Sequence, residues 1–160
     1  MSEIETVENR VEVLRKYLDG IILRMTDVEE RRCAYLHLYG VAQACALLAL
    51  KRGENPELAV MAGMLHDIYA YSCMDVNEHT HKGTTLAKKI LDELKITDET
   101  ETESICNAIY SHSDKDKIDQ PFNELLKDAD VLQHCLYNPT LTIKENEIER
   151  YERLRTEFCF

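Results

Sequence analysis

His66 and Asp67 stand side by side in AGMLHDIY, directly after an apolar stretch from Leu58 to Leu65. Neighbouring residues on a helix point about 100° apart. A His-Asp pair can therefore converge on one point only near a helix end, where the backbone turns. The Tyr-rich IYAYSCMD that follows reads as an irregular segment. A buried imidazole beside a buried carboxylate is costly unless both are paired or bind a cation. The pair thus demands a fold that brings further polar groups to it.

The rest of the chain reads as helices. Its 160 residues suffice for one domain with a real core, and 5 Gly, 3 Pro and no Trp suit helices joined by short turns. Seven helical segments are expected. The first runs from about Ile4 to Arg24. Asp27 with Glu30 resembles a capping box and opens a long second helix to about Lys51. Asn55-Pro56 is an N-cap and first-turn pair for the third, which ends at His66-Asp67. The fourth covers about Glu78 to Leu94. Asp98 with Glu101 caps the fifth, ending near His112. SDKDKIDQP is a polar loop, and Pro121 opens a sixth helix to about Tyr137. The last helix spans about 144–158. No stretch alternates with period two for long enough to make a strand. The expected fold is all-α, a bundle of about six to seven helices, with 1–160 as a single domain.

The net charge of −11 argues against nucleic acid as a general partner, because phosphate binding needs a basic surface. It also disfavours an anionic membrane. No apolar run is read as long enough to span a bilayer, and the acidic, polar N-terminus is no signal peptide. None of the six cysteines forms CxxC, and Cys33, Cys45, Cys106 and Cys135 lie in apolar helical patterns. Reduced thiols and a cytoplasmic location are expected.

Four more imidazoles or carboxylates fall on inward faces. His37 lies on the stripe of Ala34, Val41, Ala44, Cys45 and Leu48. Alone it reads as a core histidine bonded to a carbonyl. His79 aligns with Gly83, Leu86, Ala87 and Ile90, whereas His81 aligns with Thr85, Lys88 and Asp92. Periodicity therefore turns His79 inward and His81 to solvent, and Gly83 would let another element approach. His112 continues the Ile105, Ala108, Ile109 face; alone it reads equally as a C-terminal histidine on the helix dipole. Asp130 follows Leu126 by one turn, while Asp128 points away. His134 lies one turn beyond Asp130 and reads as a support for the cluster or as core. Independent accidents explain five such helices poorly, and one shared metal site explains them with a single assumption. Mixed imidazole and carboxylate ligands suit Zn, Fe, Mn, Co or Ni better than Ca.

The order His37, His66-Asp67, Asp130 resembles the H…HD…D signature of the HD-domain superfamily of metal-dependent phosphohydrolases, which is all-helical. The likeness runs from about Cys33 to Gln133. It is carried by the ordered set at these spacings, not by the HD dipeptide. KDADVL looks like the family's final ligand segment. His79 in EHTHKG, and His112, look like the extra ligands of members with two metals. Val131 and Gln133 depart from the Arg and Asp often found there. The resemblance implies that His37, His66, Asp67 and Asp130 hold one divalent transition metal. A second would be held by His79 and His112, with Asp67 bridging.

The implied function is hydrolysis of a small phosphate ester, a nucleotide or related phosphomonoester, with no nucleic-acid polymer and no membrane as partner. A metal lowers the pKa of bound water from 15.7 towards about 7, and two metals about 3.5–4 Å apart can hold nucleophile and phosphoryl oxygen. Asp67, His112 and Lys115 are the candidate catalytic residues. Lys115 and Lys82 could offset phosphate charge, although alone each reads as a solvated lysine. No Gly-rich phosphate loop and no base-stacking aromatic set is evident. The same resemblance covers diiron oxygenases, and a non-catalytic metal or nucleotide sensor is a third possibility. The stripe of Ile148, Tyr151, Leu154 and Phe158 could pack at home or make a homodimer.

Overall fold

The computed structural model describes residues 9–75 and 77–160. Among them are eight α-helices, one 3-10 turn and no strand: α1 (Arg10–Ile22), α2 (Val28–Arg52), α3 (Pro56–Leu65), α4 (Ile68–Cys73), α5 (His79–Leu94), α6 (Glu99–Ser111), α7 (Pro121–Tyr137), the 3-10 turn Glu145–Glu147 and α8 (Ile148–Phe158). The expected all-α bundle is what forms. Most of its local signals act as read, but the capping box expected at Asp27 and Glu30 is only half formed, with the Asp27 side chain capping and no bond back from Glu30. Asp27 accepts from the Glu29 and Glu30 N–H groups, and Asn55 caps α3 with proline in the first turn. Asp98 and Glu101 close a reciprocal capping box, and α7 starts at Pro121. The expected start of the first helix at Ile4 lies outside the described residues.

Two local expectations are corrected. The segment after Asp67 is not irregular but forms the six-residue α4. So short a helix has little stability of its own; fully buried Ile68 and partly buried Tyr71 pack it on the core. The second correction concerns α2, which is long and apolar enough by length and composition to cross a membrane. Here Ala34, Leu38, Val41, Cys45, Leu48 and Ala49 of that run are core.

Helix α2 is the spine. It packs most extensively on α3 and then on α7; α6 lies against α3, α5 and α7, and α8 lies on α7. The α2–α3 contact is tight because of a glycine. A Cβ on Gly63 would sit 2.7 Å from the Ala42 Cα and 2.8 Å from its nitrogen, with both backbones unable to give way. Gly83, expected to be the close approach, is looser: its Cβ would meet the His66 carbonyl oxygen at 3.6 Å, ordinary contact.

Helix α7 is buried nearly all round, including Lys127 and Asp128. Asp128 does point away from the inward stripe, but towards cations rather than solvent: Arg52 at 2.8 Å and Arg150 at 2.9 Å. Lys127 meets Asp119 at 2.6 Å and Glu124 at 3.1 Å. Arg150, from α8, donates to Glu124 and to the carbonyls of Lys115 and Lys117. The polar loop after α6 is therefore pinned, not loose. Leu154 is buried, Tyr151 and Phe158 pack on the same core, and Ile148 remains exposed, so most of the α8 stripe packs at home.

Gly63→Ala should cost about 1–3 kcal/mol, as overpacking of a close contact does. Gly83→Ala should be neutral or gain up to about 1 kcal/mol from lost chain entropy in a helix. Urea unfolding of the two variants checks this; equal stability would refute the close contact.

Candidate metal centre

Helix ends aim the inward side chains at one point. His66 caps the C-terminus of α3, and Asp67 occupies the turn before α4 at φ −119°, ψ 12°. That break in helical geometry lets adjacent residues converge. His112 caps the end of α6, His37 lies in the middle of α2, and Asp130 lies on α7.

The three most buried imidazoles are held by their Nδ1 atoms. His66 Nδ1 lies 2.8 Å from the Gly63 carbonyl and His112 Nδ1 2.6 Å from that of Ile109. His37 Nδ1 lies 2.8 Å from Gln133 Oε1. Carbonyl oxygens only accept, so each Nδ1 donates its N–H and leaves an Nε2 lone pair directed inward. His37 Nε2 and His66 Nε2 stand 3.0 Å apart. Two lone pairs at that distance require a proton or a cation between them.

The carboxylates complete the cluster. Asp67 Oδ2 lies 3.4 Å from His37 Nε2 and 3.5 Å from His66 Nε2. Its other oxygen, Oδ1, lies 3.3 Å from His112 Nε2 and 3.8 Å from His79 Nε2. Asp130 Oδ1 lies 3.5 Å from His37 Nε2 and 3.8 Å from His66 Nε2. Its Oδ2 takes the Lys115 ammonium at 2.5 Å. Asp67 Oδ1 and Asp130 Oδ1 are buried without a hydrogen-bond partner. Buried carboxylate oxygens are rarely left so, and a divalent cation is the species that would satisfy both. Ligand atoms of His37, His66 and Asp130 fall within 4.8 Å of one another, as do those of His66, Asp67 and His112. The donor set fits a metal of the transition series.

The electrostatics agree. Burial pushes His66 down to about 4, so it is neutral and free to donate at pH 7. Burial alone would raise Asp67 and Asp130. Neighbouring His66, His112 and His37 outweigh it at Asp67, and Lys115 and the histidines do so at Asp130, so both stay ionised. Burial also opposes protonation of His37, but Asp67 and Asp130 outweigh it and raise the group. Without a metal, His37 is the imidazole placed to hold the proton.

Of the residues singled out in the sequence, His37, His66, Asp67, His112 and Asp130 meet in the cluster, and His79 reaches its edge, 3.0 Å from Ser113 Oγ. His81 is outside it, against Tyr110. Lys115 is no solvated lysine: it is buried, and its ammonium binds Asp130 and the His112 carbonyl. It is placed to fix Asp130 rather than to meet a phosphate. Lys82 pairs with Asp75 at 3.2 Å, outside the cluster. His134 has the same form as the inner histidines, with Nδ1 2.9 Å from Glu147 and Nε2 3.4 Å from Asp130 Oδ1. His134, four residues after Asp130, reads from that spacing as a support for the cluster or as core; Gln133, three residues after Asp130, carries the same helical signal, but as a partner of His37 it was missed. Glu147 and Lys144, on the wall of the adjoining pocket, carry no such signal.

The HD domain family matches residues 34–135, more than half of the chain, and the chain belongs to that family of metal-dependent phosphohydrolase-type domains. Among curated proteins it is 33% identical over 121 residues to Ribonuclease Y of Staphylococcus epidermidis, covering 75% of this chain and 22% of that protein. Ribonuclease Y of Aquifex aeolicus is 32% identical over 120 residues, covering 74% and 20%. Ribonuclease Y 1 of Levilactobacillus brevis is 29% identical over 124 residues, covering 77% and 22%. The chain thus spans about a fifth of the length of these relatives. No solved structure matches it significantly. Relatives that are ribonucleases by name overturn the expectation of a small substrate with no nucleic acid as partner. The physical error lay in reading the whole-chain charge: a bound cation sets the local field at such a site.

Protein purified without chelator should hold up to two transition-metal ions, read by elemental mass spectrometry. Asp67→Ala should lose most of both and His81→Ala little. Two ions retained by Asp67→Ala would refute the shared oxygen pair. Lys115→Met should lower metal content as well, because Asp130 Oδ2 loses its partner; unchanged content would return Lys115 to a role in substrate binding.

Proposed function

We propose that the chain is a metal-dependent phosphohydrolase that cleaves a phosphate ester of RNA or of an RNA-derived nucleotide. The observation that supports this most is the division of Asp67, whose Oδ2 faces His37 and His66 and whose Oδ1 faces His112 and His79, with Asp67 Oδ1 and Asp130 Oδ1 buried and unsatisfied. In this reading His37, His66, Asp67 and Asp130 hold one divalent cation, and His79, His112 and Asp67 a second, drawn from Fe, Mn, Co, Ni or Zn. Cations there supply Lewis acidity and bring the pKa of water towards neutrality.

The protein's own groups do the positioning. Gly63, Ile109 and Gln133 hold three rings with Nε2 inward, so little reorganisation precedes binding. Lys115 keeps Asp130 ionised. A pocket of about 300 Å3 opens at Asp67, His79 and His112, with Ser113, Lys144 and Asn146 on its wall. Lys115 also lines this pocket, but its ammonium is engaged by Asp130 and the His112 carbonyl, whereas Lys144, with Nζ 3.7 Å from Glu147 and its side chain 64% exposed, can turn to a phosphate.

Incubated with a short RNA and with mononucleotides in Mn, Co, Ni or Fe, the protein should release cleavage products, and chelator should stop it. Asp130→Ala should lower turnover by at least about a hundredfold, the scale of losing a preorganised electrostatic group. Metal-loaded protein inert on RNA, phosphomonoesters and phosphodiesters alike would end this reading. Oxygen uptake by such an inert ferrous form would establish the oxygenase alternative.

A further inference from the structure

The cluster opens on a second side of different chemistry. Adjoining the lysine-bearing pocket at Asp67 and His134 is an apolar slot of about 260 Å3 between α2, α4 and α7. Cys33, Leu36, Tyr71 and Tyr137 line it, with His37 and Asp67 at its inner end. Asp67 and His134 border both openings. A ligand held at the cluster therefore meets hydrocarbon and aromatic rings on one side and a lysine, an amide and a hydroxyl on the other.

The two tyrosines come from sequence positions far apart. Tyr71 lies on the short α4, its ring 6.0 Å from that of His37 and inclined by 51°. Burial keeps its phenol protonated, so it offers an uncharged face. Tyr137 ends α7 and is 56% exposed. Leu36, on α2, is also exposed, at 43%. Apolar side chains that line a concave opening with a few convergent polar groups are the form of a small-molecule site.

We propose that this slot receives the heterocyclic base of one nucleotide, stacked on Tyr71 and Tyr137, while the adjoining phosphate ester lies at the cluster. The proposal rests on the phosphate-ester reading above and adds the group that the enzyme recognises. A base has an apolar face for the rings and a polar edge. Gln133, on the slot wall, accepts from His37 through Oε1 and has an amide N–H2 to offer such an edge. The slot has room for one base, and stacking is tolerant of base identity because every base has a π-face. An inorganic phosphate chain would leave these rings unused.

The test is binding of a dinucleotide carrying 2-aminopurine, whose emission falls on stacking, to the zinc-loaded protein. Wild type and Tyr71→Phe should quench it. Tyr137→Ala, a surface truncation, and Tyr71→Ala should weaken binding on the order of tenfold, the effect of losing one stacking partner. An abasic dinucleotide should compete at least about tenfold less well than its base-bearing counterpart. Competition by a mononucleotide against an RNA tetramer then tells the free nucleotide from the polymer as source of the base. Equal binding by Tyr137→Ala and wild type, or equal competition by the abasic ligand, overturns the slot. If that happens while wild type still cleaves phosphate esters, the slot alone fails. Base-dependent quenching by a protein inert on every ester keeps the slot and removes the hydrolase.

Discussion

The backbones of α2 and α3 meet at Gly63 and Ala42 with no room for one more carbon, and the cluster depends on that closeness. His37 and His66 project from these two helices. Their Nε2 atoms stand 3.0 Å apart because the helix axes can come together there. The Gly63 carbonyl, at the same place, orients the His66 ring. One residue thus sets both a packing distance and a ring orientation. Similar economy recurs at Gly40: a Cβ there would meet Gln133 Cγ at 2.9 Å, and Gln133 is what orients His37.

Much of this was legible. Helix starts carried by Asp27, Asn55-Pro56, Asp98 and Pro121 rest on local chemistry, so they could be read locally. The choice of His79 over His81 followed from helical phase. What escaped depends on pairs far apart in sequence. Tyr71 and Tyr137 give no common signal until α4 and α7 pack. Glu147 reaches His134 only because the chain after α7 folds back. Lys115 looked solvated because its neighbours are polar, yet it supplies charge to buried Asp130. Helix α4 itself was missed because its stability comes from Ile68 and Tyr71 on the core, not from caps or length. Gly83 was taken for the tight glycine because it shares a face with His79; which glycine is tight depends on interhelical distance, which the sequence does not display.

Charge was the most misleading quantity. A total of −11 describes the surface, whereas the interior holds its cations deliberately placed. Lys115, Lys127 and Arg150 are all buried, and each is matched by carboxylates or carbonyls. Removing one partner of such a group leaves the other uncompensated, which is costlier than the pair is stabilising. The acidic total therefore says little about what the cluster attracts.

Arg150 belongs to α8 but donates to the carbonyls of Lys115 and Lys117 in the loop after α6, and Glu147, just before α8, holds His134. The C-terminal helix and the far side of the cluster are consequently mechanically joined. Amide protons of α8 and of that loop should then exchange as one cooperative unit rather than as separate fraying ends. Opening of the C-terminal helix would release Lys115, and with it the charge that keeps Asp130 ionised.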